Sequence, residues 1–530
     1  MQYEKQRLIL QKELDHRKTP TERNRLGQFA TPTALARDIL EYGSRLLSEN
    51  EPIRFLDPAI GTGSFYSALQ ETAAGDRLEE AIGFEIDDYF GEPAKSLWSH
   101  TPLKIHIGDF TTAEPPKTEE AKYNLLICNP PYVRHHHLSG SQKARLQYNA
   151  AQACGVRLDG LSGLYCYFMG ISHAWMRDGG VGGWLVPSEF MDVNYGEALK
   201  YYLLNRVKLL RIHRFDPNEV QFRDALVSSA VVWFRKEKPS MDDKIEFTFG
   251  GTIDKPGMSR LIPAKTLQHE RKWSRFPVRG ERGPVNGITL SAFFSIKRGL
   301  ATGDNKFFIL TREQINRDAL PMKFFRPILP SPRYLPSDEI PADVEGNPSI
   351  ERQLFLLDCK LPEDQLKTEY PSLWKYFESG KPGVSNRYLC RMRRPWYSQE
   401  KRPPSPFICT YMGRGDIKRN RPFRFILNHS KATAANVYLL LYPKPFLANE
   451  LSRDPKLARR IWHHLNRIHM DTLLEEGRVY GGGLYKMEPR ELANIPAGDL
   501  LDLIPGSMKS VPKQLKLFNV GGKDERFESF

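Results

Sequence analysis

Only six of the 530 residues are cysteine, and they are scattered at 128, 154, 166, 359, 390 and 409 with no Cys-x-x-Cys pair. That spacing argues against a zinc ribbon and points to reduced thiols in a cytosol. Long apolar runs are missing too, since nothing approaches the roughly eighteen residues of a membrane span. The N-terminus is charged rather than apolar, so no secretory signal is expected. Internal repeats are absent. His135-His-His137 has no Cys or His-Glu-x-x-His partner. Adjacent histidines cannot readily share one ion, so a polar loop beside the active-site rim is expected there, and no metal. What remains is a globular chain, 40% hydrophobic and 11% aromatic, long enough for two or three domains.

Acidic balance is what the second half lacks. Residues 1–240 carry 29 Lys and Arg against 30 Asp and Glu, leaving 48 against 33 for residues 241–530. The first part is at −1 and the second at +15, so the whole excess of the +14 chain lies beyond residue 240. A polyanionic partner held by the C-terminal half explains that better than a solubilising surface, which would spread its charge.

The chemistry lies in the other half. Tyr123-Asn-Leu-Leu-Ile-Cys128 reads as a buried strand, and Asn129-Pro-Pro-Tyr132 ends it. The prolines cannot donate to a sheet ladder and leave local carbonyls free to accept. Asn129 adds a side-chain carbonyl. Two acceptors on one exocyclic NH2 would hold its hydrogens out of the ring plane, freeing the lone pair, while Tyr132 stacks on the ring. Upstream, Phe55-Leu-Asp-Pro-Ala-Ile-Gly-Thr-Gly-Ser-Phe65 is a strand, an acidic residue and a Gly-rich turn into a helix. Such a turn is a nucleotide-type site. It has neither the Lys-Ser/Thr of a P-loop nor the spacing of the dinucleotide fingerprint. Glu85, ending the next apolar run, can accept from both ribose hydroxyls. Leu103-Lys-Ile-His-Ile-Gly-Asp-Phe110 alternates like a strand and ends in Asp109-Phe110; Asp109 can accept from an adenine amino group, with Phe110 on the ring face.

The ordered series Asp57-Pro-Ala-Ile-Gly-Thr-Gly63, Glu85, Asp109-Phe110 and Asn129-Pro-Pro-Tyr132 resembles an S-adenosylmethionine-dependent amino methyltransferase. Arg25-Leu-Gly-Gln-Phe-Ala-Thr-Pro32 precedes it, as in the gamma class of N6-adenine DNA methyltransferases, the Taq-type enzymes of type II restriction–modification systems. The family's usual Cys in the Gly loop is Ile60 here, and Gly163 replaces an acidic residue before Leu164-Tyr-Cys-Tyr-Phe168, a segment that walls the cofactor adenine in the family. The resemblance implies cofactor contacts from Thr31, Asp57, Pro58, Ala59, Gly61, Gly63, Glu85, Ile86, Asp109, Phe110 and Asn129. It implies methyl transfer to a flipped-out adenine by Asn129, Pro130 and Tyr132. Phe222, in Phe222-Arg-Asp-Ala-Leu-Val-Ser-Ser-Ala-Val-Val-Trp-Phe234, would pack on the base's other face. Duplex DNA, a separately encoded endonuclease of the same specificity and a cytoplasmic, nucleoid-associated bacterial or archaeal setting follow from the same resemblance. An RNA adenine methyltransferase, a protein glutamine methyltransferase and a non-catalytic specificity subunit are the alternatives.

Strands near 53–57, 81–87, 103–110, 123–129, 182–187, 209–215 and 227–235 alternate with helices near 34–47, 64–73, 92–98, 164–177 and 195–205. That predicts an α/β doubly wound sheet. The last strand follows its neighbour with only a loop, and the resemblance implies a seven-stranded mixed sheet with that strand inserted antiparallel, followed by a mixed α+β target-recognition domain. Residues 1–240 are expected as the catalytic domain, 241–285 as a linker, 286–506 as the recognition domain and 507–530 as a polar tail. Thr31 and Pro32 read as N-cap and first helical residue. Residues 3–17 read as a charged helix with Leu8, Ile9 and Leu14 on one side. The stretch 386–424 holds eleven Lys and Arg interleaved with Tyr388, Trp396, Tyr397, Phe407, Tyr411 and Phe423. DNA contacts are expected from Arg391, Arg393, Arg394, Arg414, Lys418, Arg419 and Arg421, with the aromatics available for stacking.

Overall fold

Strand β1 (Ile53–Asp57) is buried along nearly its whole length, as a strand covered on both faces must be. The computed structural model describes residues 2–19, 22, 27–216, 228–277, 287–414, 421–480 and 484–504. Around β1 lie β2 (Leu78–Glu85), β3 (Leu103–Ile107), β4 (Tyr123–Cys128), β5 (Met176–Pro187), β6 (Lys208–Arg214) and β7 (Ser229–Arg235). Their order is β3-β2-β1-β4-β5-β7-β6. The first five are parallel, and β7 inserts antiparallel to both β5 and β6. Alternate residues of one strand serve opposite faces. Leu56 and Leu126 enter one apolar cluster, whereas Phe55, Leu125 and Ile127 enter the other. The helices are α1 (Gln2–Arg17), α2 (Thr33–Arg45), α3 (Ser64–Gln70), α4 (Asp88–Leu97), α5 (Gly140–Cys154), α6 (Leu164–Ser172) and α7 (Glu197–Asn205). The turns after β1, β2, β3 and β4 all leave the carboxyl edge of the sheet, where ligands of such folds bind.

The sheet does not stop at seven strands. Residues 241–285, expected as a linker, add β8 (Lys244–Gly251) parallel to β6 and β9 (Pro256–Pro263) antiparallel to β8, then α8 (Ala264–His269). The polar, Gly- and Pro-rich composition there marks a hairpin with one wet face. Ile245, Phe247 and Ile262 supply the dry face and pack with the fully buried Trp273. The chain divides into two compact units between Gly283 and Pro284.

Two further expectations change at the N-terminus. Leu8 and Ile9 are exposed, and the residues α1 buries are Glu4, Arg7 and Leu14. Pro32, not Thr31, precedes the first turn of α2, with no side-chain cap. Thr31 accepts a hydrogen bond from Asn129 instead.

The second unit is mixed α+β. Its main sheet runs, in spatial order, Phe294–Arg298, Tyr438–Pro443, Phe407–Thr410, Phe425–Asn428 and Glu339–Ile340, beside sheets of four and three strands. Helices such as Pro455–Leu465 cover it, with Leu457, Ile461 and Leu465 turned inward. The expected tail, 507–530, lies outside the described residues. Among the described residues no helix is long and apolar enough to cross a membrane.

Candidate active site

Asp57 ends β1 fully buried and accepts from the Ala59 N–H at 3.1 Å. Gly61 (φ +55°) and Gly63 (φ +92°) then turn the chain into α3. The two glycines differ. A Cβ on Gly63 would sit 2.6 Å from Trp98 Nε1, whereas one on Gly61 meets nothing within 4 Å and points into open space. Ile60, standing where the family has Cys, is buried and donates its N–H to Phe84 O at 2.9 Å.

Glu85 ends β2. Its Oε2 accepts from Gly61 N–H at 3.1 Å and its Oε1 from Asp87 N–H at 2.9 Å. Burial pushes its carboxyl up to about 6, and pushes Asp57 up to about 7, against the hydrogen bonds that favour their charged forms. Ile86 beside it is exposed. After β3, Asp109 accepts from Thr111 N–H at 2.9 Å and pairs with Arg145 at 3.0 Å. Phe110 is buried in an aromatic nest with Phe84, Phe168 and Trp175.

Asn129 follows β4. Its amide NH2 donates to Phe29 O at 3.0 Å and to Thr31 Oγ1 at 3.1 Å. A backbone carbonyl can only accept, so this contact fixes which end of the amide is nitrogen. Oδ1 is then the acceptor end of the amide. The Gly27 turn (φ +67°) packs so closely that a Cβ there would lie 2.4 Å from Tyr132 N. Tyr132 is half-buried; its hydroxyl donates to Leu185 O at 3.1 Å and its ring tilts against Phe29 at 6.1 Å. Pro130 is buried. Phe222 lies outside the described residues.

These turns surround one cavity of about 990 Å³. Thr31, Asp57, Pro58, Ala59, Gly61, Glu85, Ile86, Asp109, Phe110 and Asn129 line it; Gly63, Pro130 and Tyr132 do not. Leu164 and Phe168 line it despite Gly163, and His136 and His137 stand in its wall, so that loop does border the site. Among the described residues no group of His, Cys, Asp or Glu could hold a metal ion. Several lining residues were not foreseen: Gln11 and Asp15 of α1, Lys18 just past its end, and Gln142, Arg145 and Leu146 of α5. For α5 a signal existed in the Ser139-x-x-Gln142 capping box, which the structure forms.

In the second unit the basic stretch separates into kinds. Arg391, Arg394, Arg414 and Arg421 are exposed. Arg393 instead donates to Ala301 O at 2.6 Å, Thr302 O at 2.7 Å and Gln399 Oε1 at 3.1 Å. It braces a turn and is not aimed at solvent. Lys418 and Arg419 lie outside the described residues. The expected stacking aromatics are mostly core: Tyr397, Phe407, Tyr411 and Phe423 are buried, and Tyr388 is the one fully exposed. Phe407 lies in a strand and the other three in turns or loops, yet all four pack into apolar clusters, and that decides their role over the adjacent charges.

Sheet order and cavity together define a class I S-adenosylmethionine-type methyltransferase fold. Residues 64–221 match the Eco57I restriction-modification methylase family, and residues 285–519 match the type II methyltransferase M.Eco57I C-terminal domain. The type II methyltransferase M.XamI of Xanthomonas campestris pv. amaranthicola is 27% identical over 90% of this chain and 86% of its own. M.AccI of Acinetobacter calcoaceticus is 24% identical over 92% and 87%. The chain belongs to the methyltransferases of type II restriction–modification systems. Among solved structures, the type IIG restriction endonuclease BpuSI is similar with a TM-score of 0.42 at 14% identity, over 91% of this chain and 61% of that one. The type IIL enzyme MmeI in complex with DNA gives 0.49 at 14%, over 79% and 60%.

Proposed function

We propose that the protein methylates N6 of a flipped-out adenine in a specific duplex DNA sequence, using S-adenosylmethionine. The observation that carries this reading is the fixed amide of Asn129, a residue that lines the same cavity as Glu85, Asp109 and Gly61. The residues suit the cofactor. Open space beyond Gly61 admits its chain. Glu85, already held by two backbone N–H groups, keeps lone pairs for ribose hydroxyls. Asp109 and the aromatic nest around Phe110 suit an adenine's amino edge and face. The bound cofactor supplies an electrophilic methyl group.

The chain's own part is to hold and orient. The target base must leave the stack to reach the site. Asn129 Oδ1 and the Pro130 carbonyl accept the two N6 hydrogens, which takes the lone pair out of conjugation and aims it. Tyr132, tethered through its hydroxyl, supports the ring, with Phe222 assigned to its other face. Exposed Arg391, Arg394, Arg414 and Arg421 of the basic second unit meet phosphates. A separately encoded endonuclease cutting the same sequence would be the partner.

The test is methyl transfer from labelled cofactor to duplex plasmid DNA, followed by sequencing of the modified bases. The wild type is expected to mark one adenine in a fixed sequence, and Asn129→Ala to lose about 10²-fold or more in kcat, as removal of an oriented polar group does. Methylation of RNA alone, or full activity of Asn129→Ala, would overturn the reading.

A further inference from the structure

Helix α1 docks in an unusual way. An amphipathic helix ordinarily buries an apolar stripe, yet two of the three buried residues here are Glu4 and Arg7. Arg7 is 1% exposed. Its guanidinium grips Glu4 with two hydrogen bonds, at 2.7 and 2.6 Å. The remaining donors reach the turn after β1: Nη1 to Ser64 Oγ at 2.9 Å and to Thr62 Oγ1 at 3.3 Å. Glu4 in turn accepts from Ser67 Oγ in α3 at 2.5 Å and from Thr33 Oγ1 at the start of α2. A turn further on, Gln11 Oε1 accepts from Thr62 Oγ1 at 2.7 Å. At the helix's end Lys18 pairs with Asp87, two residues beyond Glu85.

A buried ion pair is poor glue, because desolvation offsets most of its attraction. Leucines would dock this helix as well. What leucines would not do is hold the hydroxyls of Thr62 and Ser64. Gln11 of the same helix and Lys18 just past its end also stand in the cavity wall.

We propose that α1 is part of the cofactor site: Arg7 is a positioning residue that sets the Thr62–Ser64 turn, and Gln11 closes the wall over the cofactor. The proposal rests on the S-adenosylmethionine reading above. It is tested on the full chain by calorimetric titration with S-adenosylhomocysteine, alongside the kcat and cofactor KM of methylation. Arg7→Lys keeps the charge and loses the fork, and is expected to weaken binding about tenfold, one charged hydrogen bond's worth. Cofactor KM should rise to match while kcat at saturating cofactor stays within about twofold, since the interaction is uniform binding. Gln11→Ala leaves the ion pair intact, and is expected to weaken binding several-fold at an unchanged melting temperature. Wild-type affinity in both variants, or a kcat loss with unchanged KM, would overturn the role of α1. A wild type that binds neither S-adenosylmethionine nor S-adenosylhomocysteine would instead overturn the underlying reading.

Discussion

Gly61 and Gly63 separate folding from binding within three residues. Both have positive φ, so alanine at either strains the backbone by roughly 1 kcal/mol. At Gly63 the new methyl would also collide with the indole of Trp98, which donates to Thr62 O at 3.0 Å. Gly63→Ala should therefore lower the melting temperature markedly. Gly61→Ala adds no clash but places a methyl at the cavity, so cofactor affinity should fall with little change in melting temperature. Thermal scans with and without cofactor distinguish the two. The carboxylates make a pH prediction. Asp57 titrates near 7 and Glu85 near 6 when folded, against about 4 in the unfolded chain. Both pKa values are raised, so between those limits the folded state binds more protons. Stability without cofactor should thus decline as pH rises from about 4 to 7 and then level. Glu4 and Asp87, whose carboxyls are held low by their partners, act oppositely, giving stability that is lost as pH falls below their ordinary range. Comparing the wild type with Asp57→Asn isolates the buried carboxyl: the variant should melt higher near pH 8, by about 2–4 °C for each kcal/mol relieved. Cofactor affinity should climb as pH passes about 6, where Glu85 ionises; a flat profile would rule that role out.

Among elements, what could be read from the chain followed how much of each element's meaning was local. Strands β1 to β7 were legible because buried strands are continuous apolar runs closed by turn residues, and the antiparallel insertion of β7 because only a loop joins it to the strand before. The Gly turn, Glu85, Asp109 and Asn129 were legible because each ends such a run. The hairpin β8–β9 was not: β9 is exposed at most positions, so its composition resembles a linker. Its importance comes from Trp273, ten residues past β9, whose indole donates to Leu267 O at 3.0 Å while its ring meets Phe247. If the hairpin is integral to the first unit, Trp273→Ala should cost about 3–5 kcal/mol, as for other buried aromatics. Urea unfolding at unchanged m-value would check it; a loss under 1 kcal/mol would return the segment to linker status. Helix α1 was illegible for a related reason. Its buried face is polar, and the partners that make burial tolerable lie some sixty residues away at Thr62, Ser64 and Ser67.

For the whole molecule the decisive quantity is where charge sits. Residues 284–530 carry 39 basic against 27 acidic residues, a net of +12. Binding of a polyanion by such a surface releases counterions, so the logarithm of the affinity should fall steeply and linearly with the logarithm of salt concentration. Not every arginine in the basic stretch should count toward that slope. Arg391, Arg394, Arg414 and Arg421 are exposed, and neutralising one that meets a phosphate should lower the slope by about 1 with uniform weakening across sequences. Arg393 is committed to the carbonyls of Ala301 and Thr302. Arg393→Gln should leave the slope unchanged and lower stability by about 1–3 kcal/mol, because those partly buried carbonyls lose a charged donor. Fluorescence anisotropy of duplex DNA from low to physiological salt, paired with melting curves, measures both quantities for each variant. A slope indifferent to all four exposed arginines would move the DNA-binding face elsewhere on the basic unit. The helix Pro455–Leu465 would then be next, because Lys456, Arg459, Arg460 and His463 lie exposed on its outer side.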